Sequence, residues 1–248
     1  MKHAYTALAA ALLAATSVAD AAPLVSVYAG GYSWDTEFEG TVASGGEDID
    51  MQDDLGFDEA NQRVLYLGVE HAVPLIPNVR VRSLDLSDDA SNRLQRTFLF
   101  NGQLFVANTE VATDIDLDIL DGTLYYTPLD NALKVNLGVT VRKIEGSISL
   151  DNLLVSTTKN FDETLPMLHA SGRLNLPVPG VYVGGEIDTI SYDGNTLRDL
   201  TARIGWRSDF LLGVELGYKH MDLELDDVSD LDADLDMGGP YLAASLSF

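Results

Sequence analysis

The chain has 248 residues, enough for one large domain or two small ones. Its 15 Lys+Arg against 39 Asp+Glu leave a formal charge of -24, which excludes a general nucleic-acid binder, because phosphate binding needs clustered positive charge. The 46% hydrophobic content excludes a disordered acidic tail, and the lack of Cys excludes disulfide frameworks, thiolate metal sites and cysteine nucleophiles.

Met1-Lys2-His3 is a short charged n-region, Ala4 to Val18 is an apolar run, and Ala19-Asp20-Ala21 matches the A-x-A cleavage pattern. The run is short for the ~20 residues of a spanning helix. Residues 1–21 are therefore expected to be a cleaved signal peptide, and 22–248 the mature domain. From there the chain alternates. Val25, Val27 and Ala29 interleave with Ser26, Tyr28 and Gly30; Leu65, Leu67 and Val69 interleave with Tyr66, Gly68 and Glu70. Val135, Leu137, Val139 and Val141 do the same further on, as do Leu200, Ala202, Ile204 and Trp206. A period of two places alternate residues on opposite faces of a strand. No helix is expected in the mature chain.

Alternation bounded by turn signals predicts ten strands, at about 24–34, 61–73, 79–87, 112–127, 133–147, 164–176, 181–192, 196–207, 211–224 and 235–248. Eight is the alternative, if two shorter runs belong to loops. Every second connection is tight: residues 74–78, 128–132, 177–180 and 208–210. The intervening ones, 35–60, 88–111, 148–163 and 225–234, are long and acidic, and only Asp193-Gly194-Asn195 is short among them. This sorting predicts an all-β fold, a closed antiparallel up-and-down transmembrane β-barrel with short periplasmic turns and long acidic extracellular loops. The first of those loops is expected to be solvated and tolerant of shortening. A soluble β-sandwich gives no reason for loops to sort by parity, and it needs bulkier inward faces. In the last strand Leu242, Ala244, Leu246 and Phe248 alternate with Tyr241, Ala243, Ser245 and Ser247. That ending resembles the signal read by the barrel-assembly machinery of Gram-negative bacteria. It implies an outer-membrane location reached through the periplasm.

Other stretches extend the likeness. Glu70 to Asn78 (EHAVPLIPN), Thr123-Leu124-Tyr125-Tyr126, Ile190-Ser191-Tyr192-Asp193-Gly194 and Leu225 to Tyr241 (LDDVSDLDADLDMGGPY) together resemble a small family of proteobacterial outer-membrane β-barrel proteins of unassigned function. The resemblance implies the barrel fold and the outer membrane. It brings no catalytic residues.

With the apolar set facing out, the lumen is expected to receive Glu70, Arg80, Arg82, Asp121, Lys134, Arg142, His169, Arg173, Glu186, Asp188, Arg203, Glu215 and Lys219. Buried charges are costly unless they pair or meet water. A salt-bridged plug is the expectation, and a narrow polar channel the alternative. Acids crowd the first loop (Glu47, Asp48, Asp50, Asp53, Asp54, Asp58, Glu59) and the last (Asp226, Asp227, Asp230, Asp232, Asp234, Asp236). The D-x-D-x-D of Asp230, Asp232 and Asp234 lacks the glycine that turns a calcium loop, so it is expected to be solvated acid. The functional alternative is divalent cations bridging these loops to anionic lipopolysaccharide. Expected partners are thus outer-membrane lipids, lipopolysaccharide and the assembly machinery, around a monomer without a cofactor.

His169-Ala170-Ser171 places an imidazole and a hydroxyl on one strand face, with Glu186 on the next strand to orient the imidazole. The spacing is similar to the His-x-Ser of outer-membrane lipid A 3-O-deacylases, in which the pair faces lipid; here it faces the lumen. His220 with Asp222 and Glu224 invites comparison with ten-stranded outer-membrane proteases, but that family's surrounding motifs are missing. His71, beside the first tight turn, is expected to join an interfacial girdle. There is no G-x-S-x-G, H-E-x-x-H or phosphate loop. A non-enzymatic envelope barrel is the expected function, and a deacylase-like hydrolase using His169 and Ser171 is the alternative.

Overall fold

The computed structural model describes residues 25–73, 75–208, 210–228 and 231–248. The expected signal peptide lies outside the described residues, as does Asp230. In chain order the strands are β1 (Val25–Ala43), β2 (Ile49–Asp50), β3 (Glu59–His71), β4 (Asn78–Arg93), β5 (Phe98–Phe100), β6 (Gln103–Phe105), β7 (Glu110–Asp130), β8 (Leu133–Asp151), β9 (Ser156–Asn175), β10 (Val181–Tyr192), β11 (Asn195–Arg207), β12 (Leu212–Val228) and β13 (Leu231–Ser247). All but β2, β5 and β6 form the wall, a closed antiparallel barrel of 10 strands. β13 returns to pair with β1 from Tyr28↔Ser247 to Ala43↔Asp232, so no wall edge is left at the seam. At its base Val27 and Phe248 exchange backbone hydrogen bonds of 3.0 and 2.7 Å. The terminal Phe is thereby part of the closure.

One end has the short turns that the sequence predicts, such as residues 131–132 between β7 and β8. The other end corrects the sequence reading. The expected acidic loop 148–163 is mostly strand, because β8 runs to Asp151 and β9 starts at Ser156. Residues up to Ala43 of the expected first loop continue β1, and residues up to Arg93 of the second continue β4. The period of two never stops; its polarity inverts. On β7 the outward residues are Leu120, Gly122, Leu124 and Tyr126 near the short turns, but Asp114, Asp116 and Asp118 further up. The inward residues change at the same level, from Asp121, Thr123 and Tyr125 to Ile115, Leu117 and Ile119. β4 changes from outward Val79 and Val81 to Asp85, Ser87 and Asp89. β13 changes from outward Leu242, Ala244 and Leu246 to Asp232 and Asp234.

The wall therefore has two storeys. The lower has the aliphatic exterior and polar interior of a membrane barrel. The upper has an acidic exterior and an apolar core, with Phe38, Val42, Leu84, Leu86, Ile115, Leu117, Ile148 and Leu150 all buried. Two connections fold over its mouth. Ile49, Met51, Leu55 and Phe57 come from the first, and Leu94, Phe98, Phe100 and Phe105 from the second; all are buried. Phe98 and Phe105 stack with centroids 5.6 Å apart, and Phe57 lies 6.2 Å from Phe38. Each such side chain taken from water contributes ~1.5–3 kcal/mol, enough to hold an acidic segment down. An ion pair clamps the rim of this cap: Arg96 Nε donates to both oxygens of Asp54 at 3.0 Å, and the Asp50 amide donates to Asp54 Oδ2 at 3.0 Å.

Candidate functional site

The lumen holds three levels. At the bottom a polar vestibule of about 180 Å³ is lined by Ser26, Tyr28, Glu70, Lys134, Ser171, Arg173, Arg207 and Glu215 among others. Lys134 Nζ lies 2.6 Å from Glu70, to which Tyr125 also donates at 3.0 Å. Tyr182 donates to Glu215 at 2.5 Å, and the Arg173 guanidinium stands 5.4 Å over the Tyr182 ring. Large rings fit here because facing positions are glycine. A Cβ on Gly68 would come within 2.2 Å of the Tyr28 ring.

Above the vestibule an ion network fills the barrel from wall to wall. Arg82 on β4 reaches Asp121 on β7 at 2.7 Å, Glu186 and Asp188 on β10 at 3.3 and 3.4 Å, and Asp199 on β11 at 3.2 Å. Arg80 makes a fork onto Glu186 at 2.6 and 2.8 Å, and Arg203 lies 3.7 Å from the same carboxylate. Arg142 on β8 bonds Asp121 and Asp199, each at 2.7 Å. Lys219 on β12 pairs with Asp199 and lies 5.3 Å from the centroid of the Trp34 ring. The side chains of Arg142 and Lys219 are wholly buried. The expected lumen residues are thus inside, and the structure adds Asp199. Asp199 shares its parity with Arg203 on β11, so the outward Leu200, Ala202 and Ile204 already mark it as inward.

The H-x-S pattern is divided between different partners. His169 Nδ1 lies 2.9 Å from Asp188 Oδ1, which also accepts from Thr140 at 2.6 Å. Ser171 Oγ accepts from Asn136 at 3.0 Å, and Glu186 belongs to the arginines. Among the described residues no hydrogen bond joins His169 to Ser171. His169, Glu186 and Asp188 bring donor atoms within 4.8 Å of one another, but a cation there would sit against the Arg80 and Arg82 guanidiniums that already neutralise both carboxylates. His220 stands on the outer face between Asp222 at 2.7 Å and Asp236 at 3.3 Å. Asp85, Asp116 and Asp118 form a third acidic group on the outer wall, just above the aliphatic belt. Asp232 and Asp234 alternate outward on β13, as strand residues do and a calcium loop does not.

The third level is a chamber of about 620 Å³ inside the upper storey, lined almost wholly by apolar groups: Phe38, Ile115, Leu117, Ile144, Ile148, Leu165, Met221, Leu235 and Met237 are representative. The sequence reading did not name it: Phe38 and Ile148 fell in expected loops, and the inward list was drawn from charged side chains and His169, not from the apolar residues that share their parity. One short hairpin makes its opening. Asp193 and Gly194 have φ of 52° and 86°, the paired positive values of a two-residue hairpin turn, so β10 and β11 end early. β9 pairs with β10 only as far as Leu168↔Thr189, while its pairing with β8 continues to Ser156↔Asp151. Residues 156–167 of β9 are thus paired to no strand on that side, and the wall is open between them and the hairpin. Phe161, Glu163, Tyr192, Asn195, Glu224 and Leu225 surround the gap.

Neither a protein-family model nor a curated protein matches the chain. Among solved structures it is similar to the outer membrane protease OmpT from Escherichia coli, with 8% identity and a TM-score of 0.50 over 90% of this chain and 96% of that one. It is also similar to the translocator domain of the autotransporter NalP from Neisseria meningitidis, with 10% identity and a TM-score of 0.43 over 98% of this chain and 93% of that one. Ail, the attachment invasion locus protein of Yersinia pestis, shows 12% identity and a TM-score of 0.38 over 90% and 98%. At 8% identity the likeness to the protease shows the fold alone, an outer-membrane β-barrel, and nothing of the activity.

Proposed function

We propose that the chain is an integral outer-membrane barrel, non-enzymatic and closed to ions, that holds a rigid acidic β-structure outside the bilayer as an envelope component. The observation that carries the reading is Arg82, whose single guanidinium meets carboxylates from β7, β10 and β11 across the lumen. Ten strands enclose little more than the eight-stranded case that side chains fill, whereas aqueous porins use about 16–18. An ion that passed this network would then meet the apolar upper core, where an unpaired charge is strongly disfavoured. The partners that fit are the lipids against the aliphatic belt and lipopolysaccharide beside the acidic storey, with divalent cations between the two sets of anions. A single chain suffices, and Leu242, Ala244, Leu246 and Phe248 on the seam strand would be the assembly signal.

Planar-bilayer recording on the purified protein tests the reading. The expected trace has no steady conductance comparable to a general porin's, and such a conductance would place the chain among channels. Mass spectrometry of lipid A from cells expressing the protein should show unchanged acylation. Loss of an acyl chain that disappears in Ser171→Ala would instead establish the hydrolase.

A further inference from the structure

We infer that the upper chamber is a binding site for an uncharged hydrophobic small molecule, admitted from the outer aqueous side through the gap between β9 and the β10–β11 hairpin. The inference does not depend on whether the lumen below conducts. Protein interiors pack to a density of ~0.74–0.76 and leave few voids larger than a water. A chamber of about 620 Å³ is far outside that pattern, and it falls within the ~300–1,000 Å³ of small-molecule pockets. Its walls offer water almost no hydrogen-bond partners, and cavities of that kind take up apolar guests instead.

The floor is shut. Phe38, Met221 and Met237 line the chamber on the side of the ion network, where the Lys219–Asp199 pair and the Trp34 ring lie against each other. A guest therefore binds and leaves by the same opening. That opening lies above the aliphatic belt, for the outward residues beside it are Asn160, Asp162, Thr164 and Ser191. The route thus leads to the aqueous side of the membrane rather than to its hydrocarbon.

Charge at the rim narrows the class of guest. Glu163 and Glu224 line the opening, and Asp226 adjoins the hairpin turn through its backbone bond to Asn195 Oδ1 at 2.9 Å. The nearby bases are engaged: Arg198 with Asp222 at 3.5 Å, and Lys143 with Glu145 and with Asp162 at 3.8 Å. Lys159, on the open stretch of β9 itself, is also partnered. A carboxylate or sulfonate guest would bring its charge past these acids and into an apolar chamber, where an unpaired charge is disfavoured.

Two probes that share one apolar body separate the possibilities: uncharged N-phenyl-1-naphthylamine, and 8-anilinonaphthalene-1-sulfonate, which adds a sulfonate. With the protein in lipid nanodiscs, fluorescence should show saturable binding of one uncharged probe per chain. The sulfonate should bind about ten-fold more weakly. Ala233 faces the chamber and is buried, so Ala233→Trp puts an indole into the space a guest would use and leaves the lipid-facing surface untouched. Saturable binding should weaken by about ten-fold or more in this variant while heat-modifiable mobility persists. If Ala233→Trp does not fold, the smaller Ala233→Phe gives the same reading. Glu163→Gln with Glu224→Gln should bring the two probes together. Equal probe uptake by wild type and the filled variant would reduce the signal to bilayer partition and overturn the site. Equal affinity of both probes for the wild type would overturn the charge selection.

Discussion

One guanidinium meets four carboxylates at Arg82, and all five side chains are buried. A buried ion pair is not in itself stabilising relative to an apolar core, but removing one partner strands the others. Arg82→Met should therefore destabilise the barrel by about 3–5 kcal/mol, read as the urea midpoint in detergent. Lys143→Met, which breaks an exposed pair with Glu145, should leave that midpoint in place. Similar midpoints for both variants would mean that the network carries no cost of its own. The cap offers a pH-dependent counterpart. Burial pushes the Asp54 carboxyl up, but the Arg96 hydrogen bonds and the Asp50 amide pull it down further, and the net shift is downward. A carboxyl depressed in the folded state stabilises above its unfolded value, ~3.9, and that contribution fades as pH falls through the lower folded value. Hydrogen exchange of the 50–57 amides, corrected for intrinsic rates, should stay slow from neutral pH down to about 4 and then rise. In Asp54→Asn it should already be fast at pH 7. Parity alone marked most lumen charges, since a strand has only two faces; what it could not supply was which charges meet, because Arg80 and Glu186 lie 106 residues apart on opposite walls.

At the scale of elements, the connection from 35 to 60 shows where sequence reading stopped. Acid density marked it as solvated loop, yet Glu37, Phe38 and Glu39 already alternate, with Phe38 inward and buried. An acidic outer face over an apolar inner one is a soluble-protein strand, and a search for lipid-facing strands discards it. Ile49, Met51, Leu55 and Phe57 also fall on alternate positions, but only Ile49 lies in a strand; they are buried because the barrel mouth needs a lid, which is a tertiary cause. Shortening this segment is consequently not the mild change that loop entropy alone suggests. Leu55→Ala should cost about 2–5 kcal/mol, measured by thermal unfolding. Deleting Phe248 acts on a different step. It removes the basal pairing with Val27 and should lower the yield of heat-modifiable protein, while Leu55→Ala should leave the yield near wild type and lower the melting temperature. Loss of yield from Leu55→Ala and none from the Phe248 deletion would reverse these roles.

For the whole molecule, strand number, antiparallel order and closure were legible because they depend on alternation and turn spacing, which act locally. The division into two storeys was not, for it appears only when the same inversion is seen at one height on several strands. It follows from solvent: where the wall leaves the bilayer, aliphatic groups that faced lipid would face water, and the interior must supply the apolar burial instead. The chamber and its gap belong to that upper storey, as does most of the acid. β7 crosses the boundary within a few residues, and the chain contains no native cysteine to interfere with labelling. Single-cysteine nitroxide labels at positions 114 to 126 of β7, in lipid vesicles, therefore measure the boundary directly. Labels at 120, 122, 124 and 126 should be relaxed by oxygen and not by a water-soluble nickel chelate, and those at 114, 116 and 118 should show the reverse. An oxygen-dominated profile that continued unchanged through 118, 116 and 114 would contradict the two-storey barrel.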